Sequence, residues 1–184
     1  MGVVSKALKK LNLQGYNFIL QEFYEKENKS GKWVLDAPYQ RGRLWSEEQN
    51  RNLIMSLLQG IPVGVIFANF RGWEDSSRYV VDGKQRISAI RDFVGGKLQV
   101  PSEWFEPADL ESKDEMVSYE GLSERGKRGF DSLTVQVAES KLPDLQAEAK
   151  LYLLVNFGGV AQTDIDRERA LELAQEEAEP SLIG

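Results

Sequence analysis

Arg78-Tyr79-Val80-Val81-Asp82-Gly83-Lys84-Gln85-Arg86-Ile87 joins a β-branched apolar run to a helical pattern in a single tight step. Arg78 to Val81 reads as a strand, Ile87, Ile90, Phe93 and Val94 recur at helical spacing, and Gly95-Gly96 closes the helix. A strand, a glycine turn and a helix start in this order put backbone N–H groups and the positive end of a helix dipole at one point, which favours an anion. Gly83 lets the backbone approach a phosphate closely, and Lys84 and Arg86 can add charge-assisted hydrogen bonds. Asp82 offers a magnesium ligand or a base, and Gln85 a group that orients water. The same five residues also have a purely structural reading. Asp82 at the N-cap with Gln85 three residues on is a capping box worth about 1 kcal/mol, and a carboxylate folded over the helix start would occupy the donors a phosphate needs. Taken alone, the segment favours structure over chemistry.

Working upstream, Tyr16, Ile19, Leu20, Phe23 and Tyr24 fall on one helical stripe and predict a helix that Asn28 to Gly31 ends. Lys32 to Leu35 reads as a short strand, and Pro38 biases Ala37 toward extended backbone. Ser46 with Gln49 forms a capping-box pattern ahead of a helix whose buried face is Leu53, Ile54, Leu57, Leu58 and Ile61, stopped by Gly60 and Pro62. Val63 to Phe70 reads as a strand and Arg71 to Ser77 as a polar turn.

Downstream, Lys97 to Val100 reads as a strand, Pro101 to Glu120 is acidic and irregular, and Thr134 to Ala138 reads as another strand. Pro143 and Asp144 open a helix with Leu145, Tyr152 and Val155 inward, ending at Asn156-Phe157-Gly158-Gly159, and Thr163 with Asp166 starts a last, acidic helix. Strands and helices mix without a regular β-α-β rhythm. The expected fold class is therefore α/β of the mixed α+β kind, a small mixed sheet flanked by helices with a helical C-terminal extension. With no internal repeat or linker, the expectation is a single domain over 1–184, its core at about 18–160 and the acidic helix at 163–179.

Composition narrows the chemistry. The 184 residues include neither Cys nor His, which rules out a thiolate nucleophile, a Ser-His pair and the usual zinc or iron ligands. A bound metal would be a hard cation on carboxylates, magnesium first. Glu103, Glu106, Asp109 and Glu111 are too irregularly spaced for that and read as a solvated loop, as Arg125, Lys127 and Arg128 read as a solvated basic face. No window reaches 18 apolar residues and no signal-peptide stretch is found, so a cytoplasmic protein without a membrane span is expected. Between Asp164 and Glu179 seven acids face only Arg167 and Arg169, so most of the net charge of -6 lies there. That concentration argues against tight non-specific nucleic-acid binding but leaves room for a local basic cleft of Arg41, Arg43, Lys84, Arg86 and Arg91. Trp45 reads as a core anchor and Trp73 as part of a packed polar turn.

Several spaced motifs in order carry more weight than any one of them. Lys32 to Arg41 with Tyr39-Gln40-Arg41, then Trp45, Gln49, Leu53-Ile54, Ser56-Leu57-Leu58, Gly60-Ile61-Pro62, Val80-Val81-Asp82-Gly83-Lys84-Gln85-Arg86 and Val155-Asn156-Phe157-Gly158-Gly159 together resemble one family. It is the ParB/sulfiredoxin-like domain at the N-terminus of GmrSD-type restriction proteins, and the resemblance runs from about Phe18 to Leu171. It implies a nucleotide-binding fold whose DGQQR-type turn binds and hydrolyses a nucleoside triphosphate with magnesium, in service of DNA restriction, modification or phage-host conflict. Carried over by position, Asp82, Gln85 and Arg86 would be catalytic, with Asp82 also the metal ligand. Gln40, Arg41, Gly83, Lys84, Asn156, Gly158 and Gly159 would contact the nucleotide. Lys84 departs from the family's usual Gln, and sulfiredoxin-type chemistry is excluded for want of a cysteine. DNA and a separate nuclease or modification protein are the implied partners. Two alternatives stay open: a non-catalytic DNA- or partner-binding module of the same fold, and an inhibitory protein whose acidic helix mimics nucleic acid.

Overall fold

The computed structural model describes residues 11–25, 32–39, 44–72, 77–157 and 171–172. The fold is mixed α/β, as expected. In chain order it runs β1 (Gln14–Ile19), a 3-10 turn (Leu20–Phe23), β2 (Lys32–Val34), α1 (Glu47–Leu58), β3 (Ile66–Phe70), β4 (Ser77–Asp82) and α2 (Lys84–Val94). Then follow β5 (Val100–Pro101), β6 (Met116–Val117), α3 (Glu124–Asp131), β7 (Thr134–Ser140) and α4 (Leu145–Phe157).

The main sheet has the order β1-β7-β3-β4-β2. β7 pairs antiparallel with β1 and parallel with β3, β4 pairs antiparallel with β3, and β2 pairs parallel with β4. The larger core lies on one face, where Ile66, Ala68 and Val80 meet Leu53, Ile54 and Leu57 of α1 and Ile87, Ile90 and Phe93 of α2. On the other face Val81 and Phe67 pack with Ala149, Leu151 and Tyr152 of α4 and with Tyr39. Each fully buried aliphatic or aromatic side chain contributes about 1.5–3 kcal/mol relative to exposure, so both helical layers are held by their stripes.

α1 begins as its sequence dictates. The Gln49 N–H donates to Ser46 Oγ at 3.2 Å while the Ser46 N–H donates to Gln49 Oε1 at 2.9 Å, a complete capping box. Ile61 does not join the buried face; it lies past the stop and is 51% exposed.

The helix expected over Tyr16 to Tyr24 is absent. Residues 14–19 form β1 instead, in register from Gln14 opposite Glu139 to Ile19 opposite Thr134, and only Leu20–Phe23 make a helical turn. A short apolar run with aromatic and β-branched members fits either period, and the hydrogen-bond ladder offered by β7 decides it. Tyr16 and Ile19 consequently stay exposed while Leu20 and Phe23 enter the core.

The strand expected at Lys97 to Val100 shrinks to Val100–Pro101, paired with β6 in a separate two-stranded sheet. The irregular acidic stretch that follows carries short 3-10 turns and lays Trp104, Phe105, Leu110 and Tyr119 partly against the core. In α4 Tyr152 is buried as expected, whereas Leu145 and Val155 are only half-buried. The expected Asn28 to Gly31 stop, Trp73 and the acidic helix over 163–179, apart from Leu171 and Glu172, fall outside the described residues. Among the described residues no helix is long and apolar enough to cross a membrane.

Candidate nucleotide site

β4 ends on Asp82, and Gly83 alone makes the turn into α2. Its φ of +106° suits glycine, and a Cβ there would meet Ile66 Cγ1 at 2.8 Å and Ile66 Cγ2 at 3.2 Å. The register of β4 against β3 slips beside the turn, Phe67 opposite Asp82 but Ala68 opposite Val80. Such a bulge re-aims the end of a strand.

The expected capping box of Asp82 and Gln85 does not form, because Gly83, one residue later, is the N-cap and has no side chain to offer. Asp82 Oδ2 instead accepts from Arg86 Nη2 at 2.5 Å. Arg86 Nη1 donates to the Val63 carbonyl at 3.1 Å, and a Cβ on Gly64 would stand 2.7 Å from that nitrogen. The Arg86 guanidinium is thus a strut, 14% exposed, that ties the approach to β3 to the β4–α2 turn.

The other helices compensate their positive ends. Ser46 caps α1, Ser123 Oγ accepts from the Gly126 N–H at 3.2 Å in α3, and Asp144 Oδ1 accepts from the Ala147 N–H at 2.8 Å in α4. Each of these helices also has an acid in its first turn. α2 has neither a side-chain cap from its N-cap residue nor an acid in its first turn, and it adds Lys84 and Arg86. Its first-turn N–H groups are left without a side-chain cap and without an acid in the first turn, a feature suited to an anion, although Asp82 and Asp36 lie beside it on Arg86 and Lys84.

Lys84 Nζ lies 3.4 Å from Asp36 Oδ1, a carboxylate that is 95% exposed. The pair brings the segment after β2 against the start of α2, as expected where β2 and β4 run parallel and end on the same side. Three residues on, Tyr39 is fully buried; its hydroxyl donates to Glu148 Oε2 at 3.4 Å and its ring lies 5.4 Å from that of Tyr152. Burial, reinforced by the Glu148 carboxylate, raises the Tyr39 pKa far above its ordinary value. Gln40, Arg41 and Arg43, which follow, lie outside the described residues, as do Gly158 and Gly159. Asn156 is on the last turn of α4, where its Nδ2 donates to the Tyr152 carbonyl at 3.0 Å.

The structure therefore gathers Asp82, Gly83, Lys84, Gln85 and Arg86 on one turn; of the expected basic cleft, Arg41 and Arg43 lie outside the described residues, and Arg86 and Arg91 are engaged within the fold. Arg91 points inward, donating to the Phe23 carbonyl at 2.7 Å and the Trp33 carbonyl at 3.3 Å, and burial lowers its pKa. Arg125 pairs with Asp109 at 3.1 Å and Lys127 with Glu120 at 3.7 Å, so the basic face there is balanced. Among the described residues no three acids cluster to hold a metal, which leaves Asp82 as the carboxylate at the turn.

Sequence reasoning passes over Glu148. It is 1% exposed and accepts from Asn69 Nδ2 at 2.7 Å, Arg71 Nε at 3.0 Å and Arg71 Nη2 at 3.1 Å as well as from Tyr39. Its position is a readable signal: three residues after Leu145 and four before Tyr152, it sits on the apolar stripe of α4.

The family profile of the GmrSD restriction endonuclease, N-terminal domain, matches residues 20–170. No curated protein matches the chain. Among solved structures it is similar to the C-terminally truncated chromosome-partitioning protein ParB from Caulobacter crescentus complexed with CTP-gamma-S. That likeness has a TM-score of 0.41 and 13% identity, covering 89% of this chain and 63% of the ParB chain. The profile match takes in the 82–86 turn, helices α1 to α4 and every described strand but β1, and the chain belongs to the GmrSD restriction endonuclease N-terminal domain family.

Proposed function

We propose that this domain binds a nucleoside triphosphate at the β4–α2 turn and, with magnesium, hydrolyses it or transfers its phosphate in support of a DNA restriction or modification partner. The observation that carries the reading is the start of α2: a glycine N-cap at φ +106°, no side-chain cap from it, no acid in the first turn, and Lys84 beside it. In this reading Gly83 lets the phosphates approach the backbone, and Lys84 exchanges exposed Asp36 for a phosphate oxygen. Arg86 holds the turn through Asp82 and Val63 and adds its charge from behind. Gln85 orients the attacking water, while Gln40, Arg41, Asn156, Gly158 and Gly159 contact the nucleotide. Asp82, 24% exposed, fits the single carboxylate that magnesium commonly takes alongside phosphate oxygens. The chemistry magnesium supplies when bound is neutralisation of charge between those oxygens.

The Asp82–Arg86 pair favours a second reading, in which the turn binds nucleotide without turning it over. Asp82 Oδ2 is already engaged by the Arg86 guanidinium, so in this reading the carboxylate braces the turn rather than serving a reacting water. Calorimetric titration with each of the four common nucleoside triphosphates, with phosphate release followed in parallel, separates the readings. Lys84→Ala is expected to weaken binding at least tenfold with little change in melting temperature, because its surface ion pair contributes little to stability. Asp82→Asn that binds but no longer releases phosphate supports hydrolysis. Binding without any release by the unaltered protein supports the second reading, and failure to bind any nucleotide removes both.

A further inference from the structure

We infer that β1 is an interaction edge on which a second copy of this chain lays its own β1, antiparallel, about a two-fold axis at Asn17. β1 is an outer strand of the main sheet, and among the described residues it pairs only with β7. The Leu20 N–H donates to the Leu133 carbonyl at 2.8 Å, and the register is unbroken from Ile19 opposite Thr134 to Gln14 opposite Glu139. Hydrogen-bonded pairs alternate along an antiparallel ladder, so Phe18, Tyr16 and Gln14 also bond inward. The N–H and C=O groups of Gly15, Asn17 and Ile19 therefore point away from β7, along the free edge. Leu11, Leu13, Tyr16 and Ile19 are each at least 37% exposed, which gathers most of the exposed large apolar side chains among the described residues on this one segment.

Sheet edges are usually protected from other chains by charge, proline or shortness. The opposite edge has such protection, since β2 is three residues long and begins with Lys32. From Leu11 to Ile19 there is neither a charged residue nor a proline, so this edge is open to another strand. A copy of the chain suits it electrostatically: each carries a net charge of -6, and two copies meet with least repulsion where neither strand bears charge. The strand is also complementary to itself. A two-fold axis perpendicular to the sheet keeps each face continuous and, placed at Asn17, sets Tyr16 opposite Phe18 of the copy, an aromatic pair. It sets Ile19 opposite Gly15, where nothing lies within 4 Å of the position a Cβ would take, so a large side chain meets an open one. Asn17 meets its counterpart as a hydrogen-bonded pair, using the outward N–H and C=O groups of both strands. An axis at Tyr16 would instead put Phe18 opposite Gln14 and lose both matches. The short paired stretch buries less than the roughly 1,200 Å² of a stable complex, so the association is reversible and depends on concentration.

The test is sedimentation equilibrium of the 184-residue chain up to millimolar concentration. The unaltered protein is expected to pass reversibly from monomer to dimer and no further. Asn17→Pro removes an N–H that points outward and leaves the ladder to β7 whole, while Asn17→Lys sets two positive charges against each other at the axis. Both should weaken dimerisation at least tenfold, and Asn17→Lys, a change at an exposed residue, decides the matter if Asn17→Pro does not fold. Leu154→Lys, at a residue of α4 that is 64% exposed, should dimerise as the unaltered protein does. Because the chain has no cysteine, Asn17→Cys supplies a single thiol, with its Cα about 5.5 Å from its counterpart in this pairing and within disulfide reach. The two thiols of Ile19→Cys would stand more than about 13 Å apart. With oxidised glutathione Asn17→Cys should therefore cross-link at least tenfold faster than Ile19→Cys. A monomer throughout the concentration range overturns the proposal, as do open-ended assemblies beyond the dimer, a dimer kept in Asn17→Lys but lost in Leu154→Lys, or equal cross-linking of the two cysteine variants.

Discussion

Gly83 turns the chain from β4 into α2 by backbone conformation and by the room its missing side chain leaves for Ile66. Both demands act against any other residue. Gly83→Ala is expected to destabilise the protein by about 1–3 kcal/mol, from the left-handed backbone and the 2.8 Å approach to Ile66 Cγ1 together. Gly60, at φ +71° but with nothing within 4 Å of where a Cβ would stand, is the natural comparison, and Gly60→Ala should cost less in a urea melt. Equal losses would mean that the contact with Ile66 matters little.

The tyrosines give a second test at this scale. Tyr24 and Tyr119 both donate to Asp131, and burial followed by these hydrogen bonds raises Tyr24 well above its ordinary value. Tyr119 is pushed up to about 12, chiefly by burial, and Tyr39 is raised by burial and by Glu148. The folded state therefore holds these phenolic protons more tightly than the unfolded chain. Linkage then requires stability that is complete below about pH 10 and declines as pH rises toward 12. In an absorbance titration Tyr24, Tyr39 and Tyr119 should stay protonated well beyond pH 10 while the fold is intact; ionisation of all six tyrosines near pH 10 with the fold intact would refute this.

Elements differ in how openly the sequence declares them. α1 is legible in full up to its last turn, because a capping box, a periodic stripe and a Gly-x-Pro stop are local signals that need no partner. Ser46→Ala should accordingly lower stability by about 1 kcal/mol in a thermal or urea melt, and no change would mean the cap is replaced by water. α2 is legible for the same reason along its stripe but not at its start. Asp82 looks like a cap in sequence, and only the extent of β4 and the backbone of Gly83 show that the cap is one residue later. β1 reads wrongly as a helix because its apolar residues satisfy two periods and the deciding partner, β7, lies over a hundred residues away. Glu148 is hidden for a related reason: a charge on an apolar stripe means little until Arg71, Asn69 and Tyr39 are seen around it. Of the candidate site, the 82–86 turn is visible as a motif, whereas the inward use of Arg86 and Arg91 depends on carbonyls from distant segments.

For the whole molecule, sheet topology sets which segments meet at the proposed site. β2 and β4 run parallel as neighbours, so Asp36 and the Gly83 turn emerge on the same side, outside the carboxyl ends of two strands, a usual location for ligands in α/β sheets. One face of the sheet carries α1 and α2 and the other α4, which lets a single end of the sheet bring together segments that lie far apart in sequence. Whether the start of α2 grips a triphosphate through its backbone is tested most directly by following amide resonances of the labelled protein during titration with magnesium and a nucleoside triphosphate. Large, saturating shifts of the Gly83, Lys84 and Gln85 N–H signals are expected, lost in Lys84→Ala. Saturating shifts confined to other residues, with these three unmoved, would contradict the proposal.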